Sequence, residues 1–164
     1  MHQSSRAMSP SLERVRAALL AHGLDHLEVR EFAESTATAA EAAAAIGTSV
    51  ERIVKSLVFM AADEPVLILA SGPNRVDVHK VERLVNAPIT RANADQVRQW
   101  TSFAIGGVPP VGHSQRLTTL VDQSLLQYDQ IWAAAGTPNS VFAIEPDVLV
   151  RISGGRVADV TLAG

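Results

Sequence analysis

The stretch Phe103-Ala104-Ile105-Gly106-Gly107-Val108-Pro109-Pro110-Val111-Gly112-His113 speaks most directly of chemistry in this chain. Paired glycines let a backbone approach a ligand closely and present N–H groups with no side chain in the way. Adjacent prolines freeze the segment that follows, so those N–H groups are preorganised, as a developing oxyanion or polarised carbonyl requires. Taken alone, the loop reads equally as a tight turn between two elements. A second feature is Val54-Lys55-Ser56-Leu57-Val58-Phe59, where one lysine opens an apolar strand. Its charge must reach a groove or the domain edge. There it either meets water at a strand end, or holds a phosphate or polarises an ester carbonyl. The third feature is Gly136-Thr137-Pro138-Asn139-Ser140, a polar turn with flexible backbone between two strands.

Other candidates are weaker. His113 and Ser114 are adjacent, but sequence neighbours in a loop rarely face one another, so a nucleophilic triad is not expected. Arg75 and Asp77 follow the Gly72-Pro73 break and suit an ion pair, or for Arg75 a phosphate contact. His22 and His26 are four apart, yet Gly23 breaks the helix that would put both on one face, so no metal is expected there. The chain has no G-x-S-x-G, no P-loop, no G-x-G-x-x-G and no H-E-x-x-H.

Composition narrows the field further. The 164 residues contain no cysteine, which removes disulfides, thiolate nucleophiles and cysteine metal sites. The formal charge of −3 argues against broad, non-specific nucleic-acid binding. Between Ser71 and Trp100, Arg75, Lys80, Arg83, Arg91 and Arg98 outnumber Asp77, Glu82 and Asp95, making this the best candidate for a phosphate-facing surface. Few phosphates would be neutralised, so a shallow salt dependence is expected. Twelve of the basic residues are Arg and only Lys55 and Lys80 are Lys, so each lysine is mildly informative. The longest apolar run, Leu57 to Ala62, is too short for a membrane helix, and the start lacks a signal-peptide core. A cytoplasmic protein is expected. Residues 1–8 are read as a disordered or vector-derived leader, with Met8 the natural start, and residues 9–164 as one domain.

The elements that must position these motifs are legible from caps and periodicity. Ser9-Pro10 opens a helix with Leu12, Val15, Leu19 and Leu20 on one face, stopped by Gly23. Leu27 to Phe32 alternates like a strand. Thr38-x-x-Glu41 is a capping box for an Ala-rich helix ending at Gly47. Lys55 to Ala61 and Val66 to Ser71 form a hairpin around Ala62-Asp63-Glu64-Pro65. A short helix around Val78 to Val85, a brief strand at Ile89 and a helix from Asn93 to Trp100 follow. Further strands are expected at 117–122, 130–135, 140–144 and 157–162, with a helical turn near 147–150. The result is one mixed α+β domain with a largely antiparallel or mixed sheet.

Taken together, Val54-Lys55-Ser56-Leu57, Gly106-Gly107-Val108-Pro109-Pro110-x-Gly112 and Gly136-Thr137-Pro138-Asn139-Ser140 resemble, in that order, the motifs of the YbaK/prolyl-tRNA synthetase-associated domain family. The resemblance runs from about Leu12 to Leu162. It implies an α+β domain whose central, mostly antiparallel sheet is barrel-like and flanked by helices. It also implies trans-editing: hydrolysis of the ester joining a wrong amino acid to the 3′-terminal adenosine of tRNA-Pro or a similar tRNA. No metal and no cofactor are implied, only positioned water and assistance from the substrate's own groups. Carried onto this chain, Lys55 is the family's essential lysine, and Gly106 and Gly107 bind the ester carbonyl or position water. Pro110 shapes the loop, and the Gly136, Thr137, Asn139 and Ser140 turn borders the amino-acid pocket. Gly112, His113, where other members carry a charged residue, and Arg75 are further candidate substrate contacts read from this chain's own residues. The partner is the acceptor end of aminoacyl-tRNA, with an aminoacyl-tRNA synthetase as a candidate second partner and a monomer as the default state. The competing reading is a non-catalytic module binding tRNA 3′-ends, amino acids or a synthetase. A small-molecule esterase ranks last, because no activated serine is visible.

Overall fold

Each helix starts where its cap dictates. In the computed structural model, which describes residues 9–162, the Ser9 side chain accepts from the Leu12 amide and Pro10 occupies the first turn of α1 (Pro10–Ala21). That helix buries Leu12, Val15 and Leu19 against the main core. The reading of residues 1–8 lies outside the described residues. After β1 (Val29–Glu31), Thr38 and Glu41 cap α2 (Ala39–Ile46) reciprocally, and Gly47 closes it at φ +84°. Asp77 caps α3 (Val78–Val85) by accepting from the His79 and Lys80 amides. Asn93 and Gln96 form a second capping box on α4 (Ala94–Thr101).

The hairpin of β2 (Val54–Ala61) and β3 (Glu64–Ser71) turns on two residues, with Ala61 opposite Glu64. Glu64 and Pro65, expected in the turn, already belong to the strand. Pro65 is tolerated because β5 (Thr118–Asp122) pairs with β3 only from Val66 onward, so no ladder bond is lost. β3 is central, with Val66 to Ala70 buried on both faces, and its continuous Val-Leu-Ile-Leu-Ala run suits that position. β4 (Ile89–Arg91) lies along the far side of β2, and β8 (Arg156–Ala158) along β5.

Two expectations at the C-terminal end are corrected. The helical turn near 147–150 is a full helix, α5 (Pro146–Ser153), with Pro146 in its first turn, Gly154 at its C-cap and Leu149 and Ile152 buried. The strand expected over 157–162 shrinks to β8. Beyond it the chain crosses to the segment after β3, where Thr161 bridges Val76 and the Leu162 amide donates to the Arg75 carbonyl.

The mixed α+β domain stands, and its sheets do not form a closed barrel. The described residues form two open sheets, β4-β2-β3-β5-β8 and a smaller β1-β7-β6, where β6 is Ile131–Ala134 and β7 is Ser140–Ile144. Ladders within the smaller sheet and between β2, β3 and β4 are antiparallel, whereas β5 runs parallel to β3 and β8 parallel to β5. The sheets touch edge to edge through one isolated bridge, Ile53 to Trp132. Three-residue β4 covers only Phe59 to Ala61 of β2. The edge of β2 from Val54 to Val58 is left facing β6 across a gap. Among the described residues no helix is long and apolar enough to cross a membrane.

Candidate active site

That gap is a cavity of about 380 Å³, within the range of small-molecule sites. One wall is the Val54–Val58 edge of β2, and the opposite wall is Trp132, Ala133 and Ala134 of β6. The ends are closed by the segment entering α2 from Thr36, by Arg91 and Ala92 at the end of β4, and by the loop from Ile105 to Val108. Most of the lining is apolar. The charged groups that reach it are Lys55 and Arg91, with no carboxylate among the lining residues.

Strand alternation turns the backbone of β2 toward the opening. The Val58 carbonyl accepts from the Ala92 amide at 3.0 Å on that side. Two residues earlier and on the same parity, the Ser56 N–H and C=O face the same way. The Ser56 hydroxyl is fully buried and has no hydrogen-bond partner.

Lys55 is half-buried and lies opposite Ala70 in the hairpin register. Its ammonium donates to the Asn74 carbonyl at 2.6 Å. Burial pushes its pKa below the usual lysine value, and Arg91 and Arg75 push it the same way, while Asp122 opposes them. Arg91 is exposed at the rim with its guanidinium 5.7 Å from the Phe59 ring centre. Arg75 does not line the cavity, but its charge is felt by Lys55.

The glycine-proline loop reaches the cavity through Ile105, Gly106 and Val108. Gly106 has φ +89°, and a Cβ there would lie 2.8 Å from the Ala37 Cβ. A Cβ on Gly107 would lie 2.8 Å from the Thr137 carbonyl carbon, a backbone atom that cannot step aside cheaply. Paired glycines are therefore needed to let the loop pass between two other segments. The Gly107 amide is already given to the Ala104 carbonyl at 3.0 Å, whereas no partner among the described residues takes the Gly106 amide.

The remaining candidates build the frame around this cavity and do not line it. Pro110 is buried behind the loop. Gly112 packs on α1, where a Cβ would meet the Arg14 carbonyl at 3.4 Å. His113 bonds the Pro109 carbonyl through Nε2 at 2.6 Å and sets its ring edge-on to buried Phe103. Burial holds its pKa below the usual histidine value. Gly136, at φ +103°, lies against the Ser11 carbonyl of α1. Thr137 bonds both Asn139 and Ser140 side chains, at 2.9 and 2.5 Å. Asn139 donates to the Phe32 carbonyl at 2.8 Å, and the Pro138 carbonyl accepts from the Thr36 amide at 2.7 Å. The turn thus anchors the strap that carries Thr36 to Thr38 to the cavity wall. Of the basic segment, Lys80 is taken up by Asp159 at 2.9 Å, leaving Arg75 and Arg91 as the charges near Lys55.

Comparison with known proteins places the chain in a family. A family model described as aminoacyl-tRNA editing domain matches residues 33–152, which include all three motifs. The chain belongs to the aminoacyl-tRNA editing domain family. A solved structure described as a candidate trans-editing enzyme for prolyl-tRNA synthetase superposes with a TM-score of 0.90 at 47% identity, covering 96% of this chain and 100% of that one. The protein YwhH of Bacillus subtilis (strain 168) is 33% identical over 131 residues, 79% of this chain and 83% of that protein. A protein of Enterococcus faecalis, EbsC, named as a candidate Cys-tRNA(Pro)/Cys-tRNA(Cys) deacylase, is 24% identical over 139 residues, 84% of this chain and 79% of its own length. The editing family and the motif resemblance coincide.

Proposed function

We propose that this chain is a trans-editing aminoacyl-tRNA deacylase. It hydrolyses the ester between a wrongly attached amino acid and the 3′-terminal adenosine of tRNA-Pro or a similar tRNA. The observation that carries the reading is that half-buried Lys55, whose ammonium donates to the Asn74 carbonyl, lines one small, mostly apolar cavity together with Gly106, whose amide has no partner among the described residues. A cation and a backbone N–H on one small space suit an ester whose carbonyl oxygen gains charge as water attacks. An aminoacyl ester is already activated, so no side-chain nucleophile, metal or cofactor is required. Water held by the Ser56 backbone edge and by the substrate's own hydroxyl or amino group attacks the carbonyl carbon, and the ribose oxygen leaves with the proton. Arg91 and Arg75 take the terminal phosphates, while Gly107, Pro110, Gly112, His113 and the Gly136–Ser140 turn hold the loop and strap in place. The chain acts from the cytoplasm as a monomer on residues 9–164, on tRNA released or handed over by a synthetase.

The test is a panel of tRNAs charged with Ala, Ser, Cys, Pro or Thr, run beside the ethyl esters of the same amino acids. The reading predicts release of one or two amino acids from tRNA and far slower hydrolysis of the simple esters. Equal rates on the ethyl esters favour a small-molecule esterase. Binding of tRNA with no release from any of them favours the non-catalytic module.

A further inference from the structure

Asp122, at the end of β5, is 1% exposed and belongs to none of the sequence motifs. Its Oδ2 accepts from the Ser71 amide at 3.0 Å and from the Asn74 side-chain amide at 2.9 Å, and its Oδ1 accepts from the Ser124 amide at 2.8 Å. A buried carboxylate is costly unless its lone pairs are satisfied, and here the donors come from one turn and from the start of the following 3-10 helix. The turn runs from Ser71 to Asn74, closed by the Asn74 amide donating to the Ser71 carbonyl at 2.9 Å. Its Asn74 carbonyl is the group that receives the Lys55 ammonium. Asp122 therefore grips Asn74 by its side chain while Asn74 grips Lys55 by its main chain.

We propose that Asp122 is the positioning residue of the site: it fixes the Ser71–Asn74 turn so that the Asn74 carbonyl holds the Lys55 ammonium in place. The charged groups acting on Lys55 come from three directions, Arg91 on β4, Arg75 after β3, and Asp122 on β5, and only the last favours the ammonium. This deepens the deacylase reading, since it gives Lys55 a held charge to work with.

The chain has two lysines, Lys55 and Lys80, so reductive methylation with ¹³C-formaldehyde reports both side chains by NMR without any substrate. In Asp122→Asn the Lys55 signal titrates at lower pH than in the unaltered protein. Because that variant places an amide against donors and can disturb folding, Asn74→Ala serves as the second variant. It keeps the carbonyl but cuts the tie, and the Lys55 signal broadens or shifts in the same direction. Deacylation by Asp122→Asn falls roughly ten- to a hundredfold, the equivalent of one hydrogen bond to a charged group. Lys55→Ala with Asp122→Asn is no slower than Lys55→Ala alone, as for residues acting in series. An unchanged Lys55 titration in both variants overturns the proposal, and so does a double variant much slower than Lys55→Ala. If the titration shifts while no tRNA is deacylated, Asp122 is the positioning residue and the deacylase reading alone fails.

Discussion

The ammonium of Lys55 has exchanged part of its hydration for one carbonyl, and its protonation is correspondingly harder to keep. Depression of a lysine pKa has two consequences of opposite sign. The charged form is complete below the folded pKa and is lost as pH rises through it, before an ordinary lysine near about 10.4 would lose its proton. If that charge works on the ester, the deacylation rate corrected for spontaneous hydrolysis declines over this alkaline window. Stability moves the other way, because between the folded and unfolded pKa values the unfolded chain binds more protons, so this group's contribution to stability improves as pH rises. A pH-rate profile set beside denaturant melts checks both, and a rate that holds flat through the window contradicts the role of the charge. At this scale the sequence was partly transparent. Lys55 stood out as a lone lysine opening an apolar strand, and Gly106 and Gly107 as a pair in a proline-rich loop. Asp122 and Asn74 carried no such mark, because a strand-end Asp and a turn Asn are ordinary until folding shows what they hold. The Ser56 hydroxyl was equally silent.

Elements decide where those residues stand. The N-terminus of α2 presents Thr36 to Thr38 to the cavity, and the Thr38–Glu41 capping box fixes its direction. Thr38→Ala is expected to cost about 1 kcal/mol of stability, as loss of an N-cap does. It should also weaken substrate capture more than turnover, raising KM, because it loosens a wall and leaves Lys55 untouched. Chemical denaturation and steady-state deacylation check the pair, and a KM equal to that of the unaltered protein would count against α2 as a wall. Caps were readable because each is a local pattern: Ser9-Pro10, Thr38-x-x-Glu41 and Asn93 all open helices at the expected residue. Long-range pairing was not. The residues after Ala158 look strand-like, yet they pair with Val76 and Arg75 instead of extending β8. The length of α5 was underestimated because its stripe, Leu149 and Ile152, is short.

At the scale of the molecule, the site exists because two sheets meet at one bridge and then part. A closed barrel would have filled the Val54–Val58 edge with a neighbouring strand and left no cavity. Edge pairing is a property of the whole topology, which is why a barrel-like sheet could be expected from the motifs while the gap in it could not. Two motifs distant in sequence then line one space, β2 through Lys55 and the glycine-proline loop through Gly106, while the polar turn anchors the strap that enters α2. The most direct test is the single-turnover release of amino acid from mischarged tRNA by the unaltered protein and by Lys55→Ala, with tRNA affinity measured alongside. Loss of a charge that stabilises the reacting ester predicts a rate lower by roughly 10²–10³, with affinity changed only slightly. Equal rates for the two proteins would contradict the account and move the chemistry away from Lys55.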